Sequence, residues 1–170
     1  MPKMMQPLPY QFTQYKTIIL QPSWMQWLII ELPVILLTIA GFAVAGLDGF
    51  PLRTLLLVLV GIFTLRLLYT FVYIRRMEYR IDASQLIFEH GIFTRSSDYM
   101  ELYRIIDFKE KRNFMDQICG LKTVQILSGD RSMPRLDIIG VPNRFDLVSK
   151  LRERVIYNRL RNGVYEITNR

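Results

Sequence analysis

Residues 65–81 read LRLLYTFVYIRRMEYRI, and the way this stretch divides decides the fold. Leu65 to Ile74 has the composition of a membrane helix, with Arg66 held inside the apolar run. Arg75-Arg76 end that run. Met77-Glu78-Tyr79-Arg80-Ile81 then alternates apolar and polar residues, the twofold period of a half-buried strand. The stretch is a junction: helix in lipid before the arginines, a β domain after them.

Working back from the junction, Leu52–Ile74 and Trp24–Leu47 are two long apolar runs. Each exceeds the ~20 residues a helix needs to cross the hydrocarbon core. Asp48-Gly49-Phe50-Pro51 between them is a turn punctuated by Gly and Pro, and so short a link forces an antiparallel helical hairpin. Lys3 and Lys16 precede the hairpin; Arg75, Arg76 and Arg80 follow it. The positive-inside rule therefore puts both termini in the cytoplasm of a multi-pass inner-membrane protein. Trp24, Trp27, Tyr69 and Tyr73 would form an aromatic belt at that same interface. Ala43-Val44-Ala45 resembles a signal-peptide cleavage site, but its apolar run is long, starts late and is followed at once by another.

Arg66 lies eight residues before Ile74, so ~12 Å from that helix end at 1.5 Å per residue. Glu31 lies seven residues after Trp24, or ~10.5 Å deep by the same rise. Ionisable groups in a bilayer seek partners, and these two match in depth and oppose in sign. The expectation is an intramembrane Glu31–Arg66 pair. Arg66 snorkelling to the headgroups and a role in a transport pathway are the alternatives. Pro33 is a candidate kink. Gly41, Ala45 and Gly61 are small residues suited to close helix packing, within the hairpin or between copies.

Forward of the junction, short alternating stretches are separated by turn signals: Asp82-Ala83-Ser84, Gly91, and Ser128-Gly129-Asp130-Arg131. This pattern indicates a small antiparallel sandwich or barrel. Phe114–Cys119 is apolar at helical spacing and predicts one helical turn plugging an opening or covering a strand. Residues 143–162 predict an amphipathic helix, capped by Asn143, with Leu147, Leu151 and Val155 inward and the arginines and lysine outward. Gly163 suits the position after its last turn. The expected organisation is an N-terminal cytoplasmic segment (1–23), a transmembrane hairpin (24–74, helices 24–47 and 52–74), the β domain with its helix (75–163) and a tail (164–170). The places of Tyr10, Phe12 and Tyr15 stay open between bilayer and β domain.

The bulk composition agrees. Of 170 residues 51 % are hydrophobic, and the net charge is +7; mean hydropathy is positive. The single cysteine, Cys119, and single histidine, His90, leave no intrachain disulfide and no ordinary zinc site. Ser96-Ser97-Asp98 lacks a nucleophile elbow, His90 lacks partner groups, and no phosphate-cradling loop occurs. The expectation is no enzyme, no catalytic residue, no cofactor and no metal. A basic charge without a recognition motif speaks against nucleic acid. Arg75, Arg76, Arg80, Lys109, Lys111 and Arg112 are candidate contacts for anionic headgroups, with a merely solvated surface as the plain alternative.

The run YRIDASQLIFEHGIFTRSSDYMELYRIIDFKEKRNFMDQICGLKTVQIL after a membrane hairpin resembles the bacterial pleckstrin-homology (PH) domain membrane proteins. The resemblance rests on Tyr79, Gly91, Leu102-Tyr103-Arg104-Ile105, Gly120-Leu121 before Val124, and ILQPSW at residues 19–24. It implies a PH-like α+β fold: a seven-stranded, two-sheet barrel capped by a C-terminal amphipathic helix. Lipid-binding PH domains hold inositol phosphates with basic residues around the first hairpin. Taking Asp82-Ala83-Ser84 as that turn, acidic and small, specific phosphoinositide binding is not expected. The functional expectation is a non-enzymatic module that binds a protein partner or itself, in contact with the lipid bilayer and without a small-molecule substrate. The alternative is a sensor of anionic lipid.

Overall fold

The computed structural model describes residues 15–47 and 51–163. The turn at 48–50, with Tyr10 and Phe12, lies outside these residues.

Among the described residues the first element is a strand, β1 (Ile18–Leu20), ahead of either long helix. Helix α1 (Trp24–Ala45) and helix α2 (Arg53–Arg76) follow. Both are long and apolar enough to cross a membrane, and only 17 % and 11 % of their most apolar windows are buried. A core helix of a soluble protein would be mostly covered, so these lengths of Leu, Val and Ile face outward. The helices run antiparallel, since Trp27 meets Thr70, Glu31 meets Arg66 and Gly41 meets Val60. At Gly41 an added Cβ would come within 2.5 Å of Val60 Cγ2, so this glycine sets the closest approach. Gly61 has open space around it and takes no part in that packing.

After α2 the chain enters β2 (Glu78–Ile81), β3 (Gln85–His90) and β4 (Ser96–Glu101). A short 3-10 helix (Leu102–Arg104) leads into β5 (Ile105–Lys111). Helix α3 (Phe114–Ile118), β6 (Leu121–Ser128), β7 (Arg135–Pro142) and helix α4 (Leu147–Arg161) complete the order. The strands form two antiparallel sheets, β1-β2-β3-β4 and β5-β6-β7. Between them lie Tyr79, Ile81, Leu86, Met100, Val124, Ile126 and Ile138, closed over by Leu147, Leu151 and Val155 of α4. The Tyr79 ring stacks on Phe88 at 4.9 Å, and its hydroxyl donates to the Asp137 carbonyl at 3.1 Å. The buried phenol thus has an acceptor, as burial requires, and burial pushes its pKa up.

Four expectations need correction. Residues 18–20 are not part of a separate leading segment: Ile18 pairs with Ile81 and Leu20 with Tyr79. The first sheet therefore draws strands from both sides of the helical hairpin, and the connection between the first two strands is the hairpin itself. The turn Asp82-Ala83-Ser84 joins the second and third strands, so it says nothing about a site at the first hairpin. Helix α4 begins at Leu147, not Asn143, because the Asp146 carboxylate accepts from Ser149 N at 3.1 Å and caps it. Helix α3 exists and lies against β6, but its apolar side chains plug no opening: Phe114, Met115 and Ile118 are exposed and only Asp116 is buried. Its capping box, Asn113 with Asp116, turns the polar side chain inward and leaves the apolar ones outside.

The domain has a hairpin end and a far end. β1 runs into α1 and β2 runs out of α2, so the Leu20–Glu78 end adjoins the helices. Glu89 lies opposite Glu78, which brings the β3–β4 turn to the same end. In the second sheet, Gly140 accepts from Ser23 N at 3.3 Å. An added Cβ there, at φ 66°, would approach Ser23 N to 2.9 Å and Gln26 Cβ to 3.1 Å. Only glycine permits both that conformation and this seat for the start of α1. Helix α3 also touches α1. The opposite end holds the 82–84 turn, the 3-10 helix, the β6–β7 turn and the last turns of α4.

Candidate functional site

Of the residues singled out from sequence, Glu31 and Arg66 are brought together. Arg66 Nη1 donates to Glu31 Oε2 at 2.8 Å and Nη2 to Oε1 at 3.3 Å. The fork engages both carboxylate oxygens, the geometry in which arginine is strongest. Glu31 is buried, whereas about half of the Arg66 side chain remains exposed. One helical turn toward the same end, Trp27 Nε1 donates to Thr70 Oγ1 at 3.1 Å and its ring meets Phe71 edge-on at 5.2 Å. Polar contacts thus gather on one face of an otherwise apolar helix pair.

The six candidate headgroup cations differ in their acidic partners. Arg75 and Arg76 are exposed at the end of α2, and among the described residues no acidic partner is within reach of them. Arg80 is held by Glu78 at 3.1 Å and Glu89 at 3.6 Å. Arg112 pairs with Glu110 at 3.2 Å. Lys109 and Lys111 project from β5, and Lys111 lies within the field of Asp137. Glu110 also accepts from Lys122 at 2.6 Å. That hydrogen bond, aided by Arg112, holds the Glu110 carboxyl below its usual range.

Sequence reasoning missed Arg154. It is 4 % exposed, not on the solvated face. Its Nη1 donates to Ile81 O at 2.7 Å and Asp82 O at 2.9 Å, while Nη2 donates to Lys16 O at 2.7 Å. The guanidinium therefore ties chain from before the hairpin to chain from after it. Tyr15 lies over the group at 5.2 Å, donates to Glu153 and meets Tyr157 edge-on, so Tyr15 packs on the β domain. Burial lowers the Arg154 pKa, but a guanidinium stays charged. Asn158, one turn on, donates to Ala83 O at 2.6 Å. The signal lay in the spacing: Arg154 and Asn158 fall three and seven residues after buried Leu151, on the stripe facing inward.

At the far end, Ser84, Glu101, Tyr103, Arg104 and Arg161 line an open polar cleft beside α4. Arg104 lies 5.6 Å over the Tyr103 ring and 3.4 Å from Asp130. His90, in contrast, stacks on Phe88 at 4.7 Å with Nδ1 3.7 Å from Asp98. Serines 96 and 97 are exposed on the outer strand β4.

The family model described as Bacterial PH domain matches residues 29–155. The match begins inside α1, so β1 lies outside it. No curated protein and no solved structure matches the chain.

Proposed function

The chain belongs to the bacterial PH domain family, and on that premise we propose that it is a non-enzymatic inner-membrane protein presenting a cytoplasmic interaction module. PH domains are generally non-catalytic and bind lipids or proteins. In this reading α1 and α2 span the bilayer and both termini are cytoplasmic. The observation that carries it is the position of the hairpin between two paired strands, β1 and β2. A module joined by both flanks has little freedom to turn, so its far end always faces the cytoplasm. The polar cleft beside α4 is offered there and the outer strand β4 along the side of the domain, suited to groove contacts and strand addition by a protein.

The test is mild detergent extraction of the full-length protein, followed by native mass measurement and identification of any stoichiometric protein. The reading expects such a partner, or a defined self-assembly, that is lost on Arg104→Glu with Tyr103→Ala while the helix pair is unchanged. A lone chain retaining anionic lipid contradicts it. One observation favours that second reading: Arg75, Arg76 and the exposed Lys109 lack acidic partners among the described residues. Replacing Lys109, Lys111 and Arg112 by Gln would then release the lipid.

A further inference from the structure

We infer that the hairpin end of the β domain is seated in the bilayer interface at two apolar points, helix α3 and the β3–β4 turn, with anionic headgroups met by the cations beside them. The inference rests on the reading that α1 and α2 span the membrane.

Helix α3 carries the first point. Phe114 is 72 % exposed and Ile118 66 %, although the surrounding fold has a core to receive them. Asp116 takes the inward position instead, accepting from Asn113 N at 3.0 Å. The β3–β4 turn carries the second point. Phe93 is 93 % exposed, lifted clear by a turn that begins at Gly91 with φ 110°. Turns at the far end are built differently, from Asp82-Ala83-Ser84 and Gly129-Asp130-Arg131-Ser132.

Location selects the occupant. Both points emerge on the end from which α1 and α2 leave the domain. Helix α3 touches α1, whose first residues, Trp24 and Met25, are also exposed. The apolar surface therefore continues from the spanning helix onto α3. Cations flank both points: Arg95 beside Phe93, still largely exposed though 3.9 Å from Glu89, and Lys111 with the Glu110-paired Arg112 just before Phe114. An apolar face bordered by basic residues fits the boundary between headgroups and acyl chains, where such segments bury ~5–10 Å deep.

The test uses the full chain with Cys119→Ser, carrying one environment-sensitive fluorophore at Phe93→Cys, Phe114→Cys, Leu65→Cys or Arg131→Cys. Each is reconstituted in discs of phosphatidylethanolamine and phosphatidylglycerol. Spin labels are placed on the lipid either near the headgroup or deep in the acyl chain. The labelled positions are exposed, so the fold is undisturbed. We expect both the 93 and 114 labels to shift to the blue and lose most of their emission to the shallow spin label. The Leu65 label should be quenched by the deep one, and the Arg131 label by neither. If Leu65 is quenched and either the 93 or the 114 label behaves like Arg131, the two-point seat is wrong while the spanning reading stands. A blue-shifted label that lipid does not quench puts protein there, a second copy in the disc, and also overturns the inference. An unquenched Leu65 label removes the spanning reading and this inference with it.

Discussion

Arg154 is a single side chain that closes the domain around its own insertion. Its three carbonyl acceptors belong to Lys16, Ile81 and Asp82, and a buried acceptor left without a donor costs about 1–3 kcal/mol. Arg154→Met should therefore destabilise the domain by on the order of 3 kcal/mol, with hydrogen exchange accelerating first at Ile18–Leu20. Arg154→Lys should restore little, because one ammonium does not reproduce the fork. The Glu31–Arg66 pair is the counterpart within the helices. Arg66→Gln alone leaves a buried carboxylate without its partner and should weaken the hairpin by ~2–3 kcal/mol, read as lower resistance to dodecyl sulfate. Adding Glu31→Gln should recover most of the loss; harmless single variants would mean the pair contributes nothing. Glu110 brings a pH dependence. Its carboxyl is held low by the Lys122 hydrogen bond, so its stabilisation is present above the ordinary Glu pKa of ~4.3 and is lost as pH falls through the lower folded value. Melting followed below that point should show a decline that Lys122→Met flattens.

At the scale of elements, close packing of α1 on α2 depends on one glycine and not the other. Gly41→Leu drives a side chain into Val60 and should separate the helices, seen as loss of a cross-link between cysteines placed at Trp27 and Thr70. Gly61→Leu meets open space and should leave that cross-link intact. The two long helices, most of the strand pattern after Met77 and the inward face of α4 were legible because each repeats a period over many residues. β1 was not, since three residues in IIL carry no period and their partner lies some sixty residues away. The start of α4 was misread because Asn143 and Asp146 are both good caps, and only tertiary packing chooses between them. Helix α3 was found by spacing, but its apolar side chains face outward instead of into the domain. Apolar residues in a short helix do face one way, yet sequence does not say whether protein or another apolar phase receives them. The candidate site was legible where charge stood against an apolar background, as at Glu31 and Arg66. It was hidden where Arg154 sat among other arginines on a helix that looked evenly charged.

Across the whole molecule, the strands on either side of the hairpin pair with each other, Arg154 holds them, and Gly140 receives the first turn of α1. These three contacts place the domain squarely at one end of the helix pair. The helices are the connection between the first two strands of the PH sheet, and on the proposed reading they are its anchor as well. With the helices spanning the bilayer as proposed, Thr17 and Arg131 lie on the same side of the membrane and the α1–α2 connection on the other. The most direct measurement is labelling of single cysteines at Thr17, Leu52 and Arg131, in a Cys119→Ser background, with a maleimide that does not cross membranes. In intact spheroplasts Leu52→Cys should react at once, and Thr17→Cys and Arg131→Cys only after permeabilisation. Thr17 and Arg131 reacting from opposite sides, or Leu52 reacting only with them, would contradict a PH domain folded around a membrane-spanning hairpin.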